Sequence, residues 1–340
     1  MKSSMEKKKY RPDEYIFACA AIACREKFLL TQDRIERMLD CKTVVDAARV
    51  LKELDYDEKF ATTGTEYDGA LSRELEKIYE LVVSMAPDET YFDVLLYQND
   101  YHNVKALLKA EFLGVDADEY LLDAGSYHAD ELKAMVFGRR YSDMRDEMAR
   151  GIREVLESFG TTQDPQVVDL IIDKACFRDM NSMVAELEMD FLKEYLALKI
   201  DTINLTTFAR AREMKGSRSF FSTIFIENGN IDENVFLKGY DEPLEHFADR
   251  LEVYGLHHVA HEGFRMLKKT GRFTALEKLS EDLLLASVES AKYVAYGIEP
   301  LFAYLVAKES EIKTVRIILS GLHARLSTDE IRQRVRATYA

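Results

Sequence analysis

The densest group of potential metal ligands in this sequence is "GLHHVAHEGF", Gly255–Phe264, where His257, His258, His261 and Glu262 crowd together. On a helix, His257 and His261 share a face at i, i+4, a spacing at which two imidazoles can bind zinc. The order differs from the HExxH pattern of zinc hydrolases, and no cysteine lies nearby. A diiron bundle needs Glu-x-x-His pairs on two helices. None of the seven histidines has a glutamate three residues before it. A metal-dependent helical enzyme using His257 and His261 is thus the weaker reading of the chain.

Other reaction chemistries find less. Gly64 and Gly69 in "GTEYDG" have the glycine spacing of a phosphate-binding loop, but Ala70-Leu71 follows where lysine and a hydroxyl residue would grip phosphate and magnesium. GxSxG and GxGxxG arrangements are missing. Cys19, Cys24, Cys41 and Cys176 form no CxxC pair, and their irregular spacing predicts reduced, buried thiols of a cytosolic protein. Carboxylates are so abundant that finding two together says nothing. The expectation is a chain that is not an enzyme and carries no catalytic, cofactor or metal site.

The elements that would position any such group read as helices. The 340 residues include only five prolines and fifteen glycines, and 47% are apolar. In "DRIERMLDCKTVVDAARVLKELDY", Ile35, Met38, Leu39, Val45, Ala48, Leu51 and Leu54 recur at spacings of three and four. Leu71, Leu75, Ile78 and Val82 make a similar face. Alternating strand patterns are rare; "SFFSTIFI", Ser219–Ile226, reads as an apolar loop or a helix. Pro87, Pro165, Pro243 and Pro300 each precede or open an apolar-periodic run, where a missing N–H costs little.

Net charge is −15, so nucleic acid is repelled and no nucleic-acid partner is expected. Lys7, Lys8, Lys9 and Arg11 read as a solvated basic tail over residues 1–12. The first ten residues lack the apolar core of a secretory signal. "YIFACAAIAC" (Tyr15–Cys24) is about half of the ~20 residues a membrane span requires, so no span is predicted.

Three stretches resemble one another: "LLYQNDYHNVKALLKAEFLG", "LALKIDTINLTTFARAREMKG" and "FAYLVAKESEIKTVRIILSG". Aligning Asn103, Asn204 and Glu311 matches Val104, Leu205 and Ile312, and then Leu107, Phe208 and Val315. Asp100 and Asp201 stand three residues earlier, where an N-cap aspartate would accept free backbone N–H groups; Lys308 takes that place in the third copy. Gly114, Gly216 and Gly321 would close the helices in left-handed caps. The spacing of roughly 100 residues exceeds that of solenoid repeats, so each copy suits a small bundle of its own. The expected units are residues 13–115, 116–217 and 218–340.

The chain resembles the C subunits of the bacterial and archaeal V/A-type rotary ATPases, which are related to the d subunit of the eukaryotic V-ATPase. The likeness is strongest in "GIEPLFAYLVAKESEIKTVRIILSG" and the following "LSTDEIRQRVRATYA", and extends to "YIFACAAIACREKFLLTQDRIERML" and "NDYHNVKALLKA". After Gly321 the run Leu322-His323-Ala324-Arg325-Leu326 departs from the family's usual lysine followed by Gly-Leu. The resemblance implies an all-α chain of three similar helical units in tandem about a pseudo-threefold axis, shaped like a funnel. It implies a non-catalytic connector on the cytoplasmic side of the membrane, joining central-stalk subunits to the cytoplasmic face of the membrane rotor ring during ATP-driven ion transport or ion-driven ATP synthesis. Candidate partner contacts are Arg325, Arg332, Arg334 and Arg336 on the C-terminal helix, and Asn103, Asn204 and Glu311 at equivalent places in the three copies. The rival reading is an all-helical scaffold unrelated to rotary motors, which would more often show repeats of 30–45 residues.

Overall fold

A computed structural model describes residues 10–56, 67–162 and 165–339. Lys7, Lys8, Lys9 and Gly64 lie outside the described residues. Among the described residues all regular structure is helical, as the period of three and four predicts. "SFFSTIFI" resolves in favour of helix over Arg218–Ile224. Gly69 sits inside a helix, Tyr67–Met85, and not in a phosphate-binding turn.

The chain divides into two compact units. One comprises Met1–Glu89, Leu285–Thr328 and Ala337–Ala340; the other comprises Thr90–Leu284 and Asp329–Arg336. The first unit contains α1 (Ile16–Arg25), α2 (Gln32–Leu39), α3 (Val44–Leu51), α4 (Tyr67–Met85) and, from the far end of the sequence, α15 (Glu299–His323). α15 packs against α1, α3 and α4. Its first half, from Pro300 to Lys308, is buried without a break, which explains why "PLFAYLVA" carries no charged residue before Lys308. Local signals set the ends of these helices. Thr31 and Thr43 accept the N–H groups of Arg34 and Asp46 as N-caps of α2 and α3.

The second unit contains α5 (Thr90–Leu113), α6 (Ala129–Phe137), α7 (Asp146–Thr162), α8 (Pro165–Leu187), α9 (Asp190–Glu213), α10 (Arg218–Ile224), α11 (Glu233–Lys238), α12 (Leu244–Asp249), α13 (His257–Thr270), most of α14 (Thr274–Ser287) and α16 (Thr328–Arg332). α5 packs on α6 and α8, α7 on α8, α9 on α8 and α10, and α12 on α13. Around α9 the core is aromatic. The Phe208 ring lies 4.3 Å from Phe247, 5.4 Å from Phe236, 5.5 Å from Phe221 and 5.6 Å from Tyr240. Tilted and edge-on rings at such distances add to the gain from burial alone.

Several local expectations change. Asp100 and Asp201 are not N-caps, because their helices begin ten or more residues earlier, at Thr90 and Asp190. Gly114 closes α5 with φ of 67°, as expected, but Lys215 (56°) and Arg325 (55°) take the left-handed position at the ends of α9 and α15. Gly321 lies inside α15. The C-terminal helix is short and ends at Arg332, so Arg334 and Arg336 lie beyond it. Of the cysteines, Cys19 and Cys176 are buried, Cys41 is intermediate and Cys24 is exposed.

Candidate functional site

The residues that the three similar stretches bring into register all hold a loop to the middle of a long helix. The helices are α5, α9 and α15, of 24, 24 and 25 residues. Asn103 is fully buried; its Nδ2 donates to the Leu122 carbonyl at 2.7 Å and its Oδ1 accepts the Leu122 N–H at 2.8 Å. Asn204 treats Ile226 in the same way, at 2.7 and 2.9 Å. A primary amide is the side chain that presents a donor and an acceptor side by side, so it can pair with both halves of one residue's backbone.

One helical turn earlier, each aspartate holds the next part of the same loop. Asp100 Oδ1 accepts the Tyr127 N–H at 3.1 Å, and its Oδ2 accepts Ser126 Oγ at 2.6 Å. Asp201 accepts the Ile231 and Asn230 N–H groups, both at 3.0 Å, and Asn230 Nδ2 at 2.9 Å. Burial pushes the Asp201 carboxyl above the usual carboxylate range, against the opposing pull of those donors. Each loop passes its aspartate at a glycine. A Cβ on Gly125 would stand 2.2 Å from Asp100 Oδ1, and one on Gly229 would stand 2.3 Å from Asp201 Oδ1.

The first aspartate has a further partner. Arg145 reaches Asp100 with Nη2 at 2.9 Å and Asp179 with Nε at 2.6 Å, while Tyr101 donates to Asp179 at 3.0 Å. The guanidinium lies 3.7 Å from the centre of the Tyr97 ring and 4.9 Å from that of Tyr127. Two carboxylates and the stacked rings offset the cost of burying this cation. Its role was not legible in the sequence, since Arg145 lies 45 residues from Asp100 and in no motif. Gly125 and Gly229 did leave a signal: each follows its aspartate by fewer than thirty residues.

In the third stretch the chemistry changes. Glu311 Oε2 accepts the Leu30 N–H at 2.6 Å, and its Oε1 accepts Tyr56 OH at 2.6 Å and Lys308 Nζ at 2.7 Å. Lys308 also sits 4.3 Å from the centre of the Tyr56 ring. Both members of the ion pair are buried. Lysine thus stands where the other copies have aspartate, and it neutralises the glutamate that stands in place of asparagine.

The arginines lie in a different setting. Arg325 and Arg334 are exposed, Arg332 is exposed and pairs with Asp329 at 3.2 Å, and Arg336 is half-buried and bound to Glu281 at 2.6 Å. His257 and His261 stack with ring centres 5.6 Å apart, but their nitrogens turn to different carboxylates, Asp249 and Glu262, each at 3.3 Å. Among the described residues no three histidine, cysteine, aspartate or glutamate side chains converge as a metal site. Among the same residues, no helix is long and apolar enough to cross a membrane.

Comparison with known proteins covers nearly the whole chain. Residues 18–334 match the family described as ATP synthase (C/AC39) subunit. The C subunit of the V-type sodium ATPase of Enterococcus hirae is 26% identical over 321 residues, 93% of this chain and 96% of its own length. The C subunit of the V-type ATP synthase of Thermus thermophilus is 26% identical over 333 residues, 95% of this chain and 98% of its own. The C subunit of the A-type ATP synthase of Methanocaldococcus jannaschii is 22% identical over 356 aligned positions, covering 94% and 85%.

Proposed function

Since the chain belongs to the ATP synthase (C/AC39) subunit family, and is thereby a non-catalytic subunit of a V/A-type ATPase, we propose that it connects the central stalk to the membrane rotor ring. The observation that carries this reading is the continuous match over residues 18–334. In this role the protein sits peripherally on the cytoplasmic side, binding stalk subunits at one surface and the ring at another.

The architecture suits such a part. A helix of 24 residues is about 36 Å long at 1.5 Å per residue, and a part that transmits torque must resist bending. α5, α9 and α15 run without internal proline after the first turn, and a buried side chain ties a loop to the middle of each. The polar residues at these places serve internal rigidity, since Asn103, Asn204 and Glu311 are buried within the chain. The exposed arginines Arg325, Arg332 and Arg334 are the better candidates for partner contact, with Arg336 positioning the segment through Glu281.

The test is co-expression with the central-stalk and ring subunits of the same ATPase, followed by native mass spectrometry. A one-to-one complex with the stalk, and a larger one that includes the ring, are expected. Recovery of the chain with neither set of subunits would remove the connector reading and leave the helical scaffold.

A further inference from the structure

The third loop-holding residue differs from the first two in the direction in which it reaches along the chain. Asn103 holds a residue 19 positions later and Asn204 one 22 positions later. Glu311 holds Leu30, 281 positions earlier. In each of the first two cases a long helix comes first and its own following loop folds back onto it. On α15 the loop that takes this place comes from the N-terminal part of the sequence instead.

We propose that the third repeat is circularly permuted: α15 is its first helix, and residues 10–56 and Tyr67–Met85 supply its second half, strapped down by the buried Lys308–Glu311 pair. Other contacts inside the same compact unit agree. Tyr10 OH accepts the Ile298 N–H at 3.0 Å, and Cys19 Sγ donates to the Gly297 carbonyl at 3.2 Å. Tyr79 donates to Glu309 at 2.5 Å, and Arg316 pairs with Asp68 at 2.9 Å. Lys292 donates to the Tyr339 carbonyl and lies 4.0 Å from the centre of its ring, which fixes the C-terminal residues to this unit too.

The repeats are then α5–α8, α9–α14, and α15 joined to α1–α4, in place of three consecutive blocks. The chemistry of the pins fits this register. Where the helix carries aspartate, the loop carries a glycine beneath it; where it carries Lys308, the loop at Leu30 has no glycine. The consequence is mechanical. The two halves of the third repeat are joined through the chain only by way of residues 90–284, so side-chain and backbone contacts alone keep the strap on α15, whereas in the first two repeats the held loop follows its helix within about twenty residues. The inference does not depend on the connector role, because neither readout below involves a partner.

The experiment has two arms. In the full-length chain, Glu311→Gln is followed by amide hydrogen exchange, with Tyr56→Phe as a milder variant. The Leu30 amide should exchange at least tenfold faster in E311Q, while the Leu122 and Ile226 amides keep their rates. Equal acceleration at all three amides, or none at Leu30, would overturn the strap. In the second arm the chain is reordered as residues 90–340, a flexible linker, then 1–89. A control opens the chain between Lys215 and Arg218, inside a proposed repeat. The first permutant should melt within a few degrees of the natural order and above the control. A first permutant that fails to fold, or melts below the control, counts against the proposal.

Discussion

Asn204 holds Ile226 by both halves of its backbone, accepting its N–H at 2.9 Å and donating to its carbonyl at 2.7 Å, just as Asn103 holds Leu122. Replacing Asn204 by leucine keeps the volume and removes both bonds, leaving a buried N–H and C=O without partners. Such orphaned groups cost about 1–3 kcal/mol each. Urea unfolding should therefore show a loss of roughly 2–4 kcal/mol for Asn204→Leu, and a similar loss for Asn103→Leu. Losses below ~0.5 kcal/mol would mean that the loops are held by something else.

Gly125 and Gly229 are required by space, since a Cβ would meet an aspartate oxygen at 2.2 and 2.3 Å. Gly229→Ala should destabilise the chain by ~1–3 kcal/mol through overpacking. In an Asp201→Ala background the same substitution should cost much less, because the blocking oxygen is gone. A double-mutant cycle measures that coupling. Strict additivity would refute the steric account.

The buried carboxyl of Asp201 has a folded-state pKa raised above its ordinary 3.8. A carboxyl shifted in this direction contributes stability below its unfolded value and loses that contribution as pH rises through the folded value. The melting temperature of the natural chain minus that of Asp201→Asn should therefore fall as pH climbs from about 3.8 toward neutrality. A difference that grows with pH over this window would show that the three N–H donors outweigh the cost of burying the charge.

Phe208 touches four other aromatic rings at the centre of the core around α9. Phe208→Ala leaves a cavity that these stiff rings cannot readily fill, and should cost ~3–5 kcal/mol in denaturant unfolding. Phe208→Leu should cost distinctly less. Equal costs would mean that the core collapses freely.

Arg325 and Arg334 are exposed on an acidic protein. Double charge reversal, Arg325→Glu with Arg334→Glu, should leave the melting temperature within about 2 °C, since surface changes shift stability little. It should slow association with the other subunits of the ATPase severalfold at low salt, with the difference shrinking as salt rises. An unchanged rate in surface-plasmon binding would release these two residues from the interface.

The helical class, the proline-marked starts and the three similar helices were legible in the residues themselves. Each depends on neighbours three or four positions apart, and such a pattern is written locally. The alignment of Asn103, Asn204 and Glu311 was also legible, because equivalent tasks left equivalent spacing. What those residues do was not. Asp100 and Asp201 carry the features of helix caps, and only the tertiary structure moves them into helix interiors, where burial turns the same carboxylate toward a returning loop. Arg145 with its two aspartates, and Leu30 with Glu311, were invisible for a related reason. A hydrogen bond between residues 45 or 281 positions apart leaves no trace in periodicity. It exists only once packing has brought the two elements together and removed the water that would otherwise satisfy them.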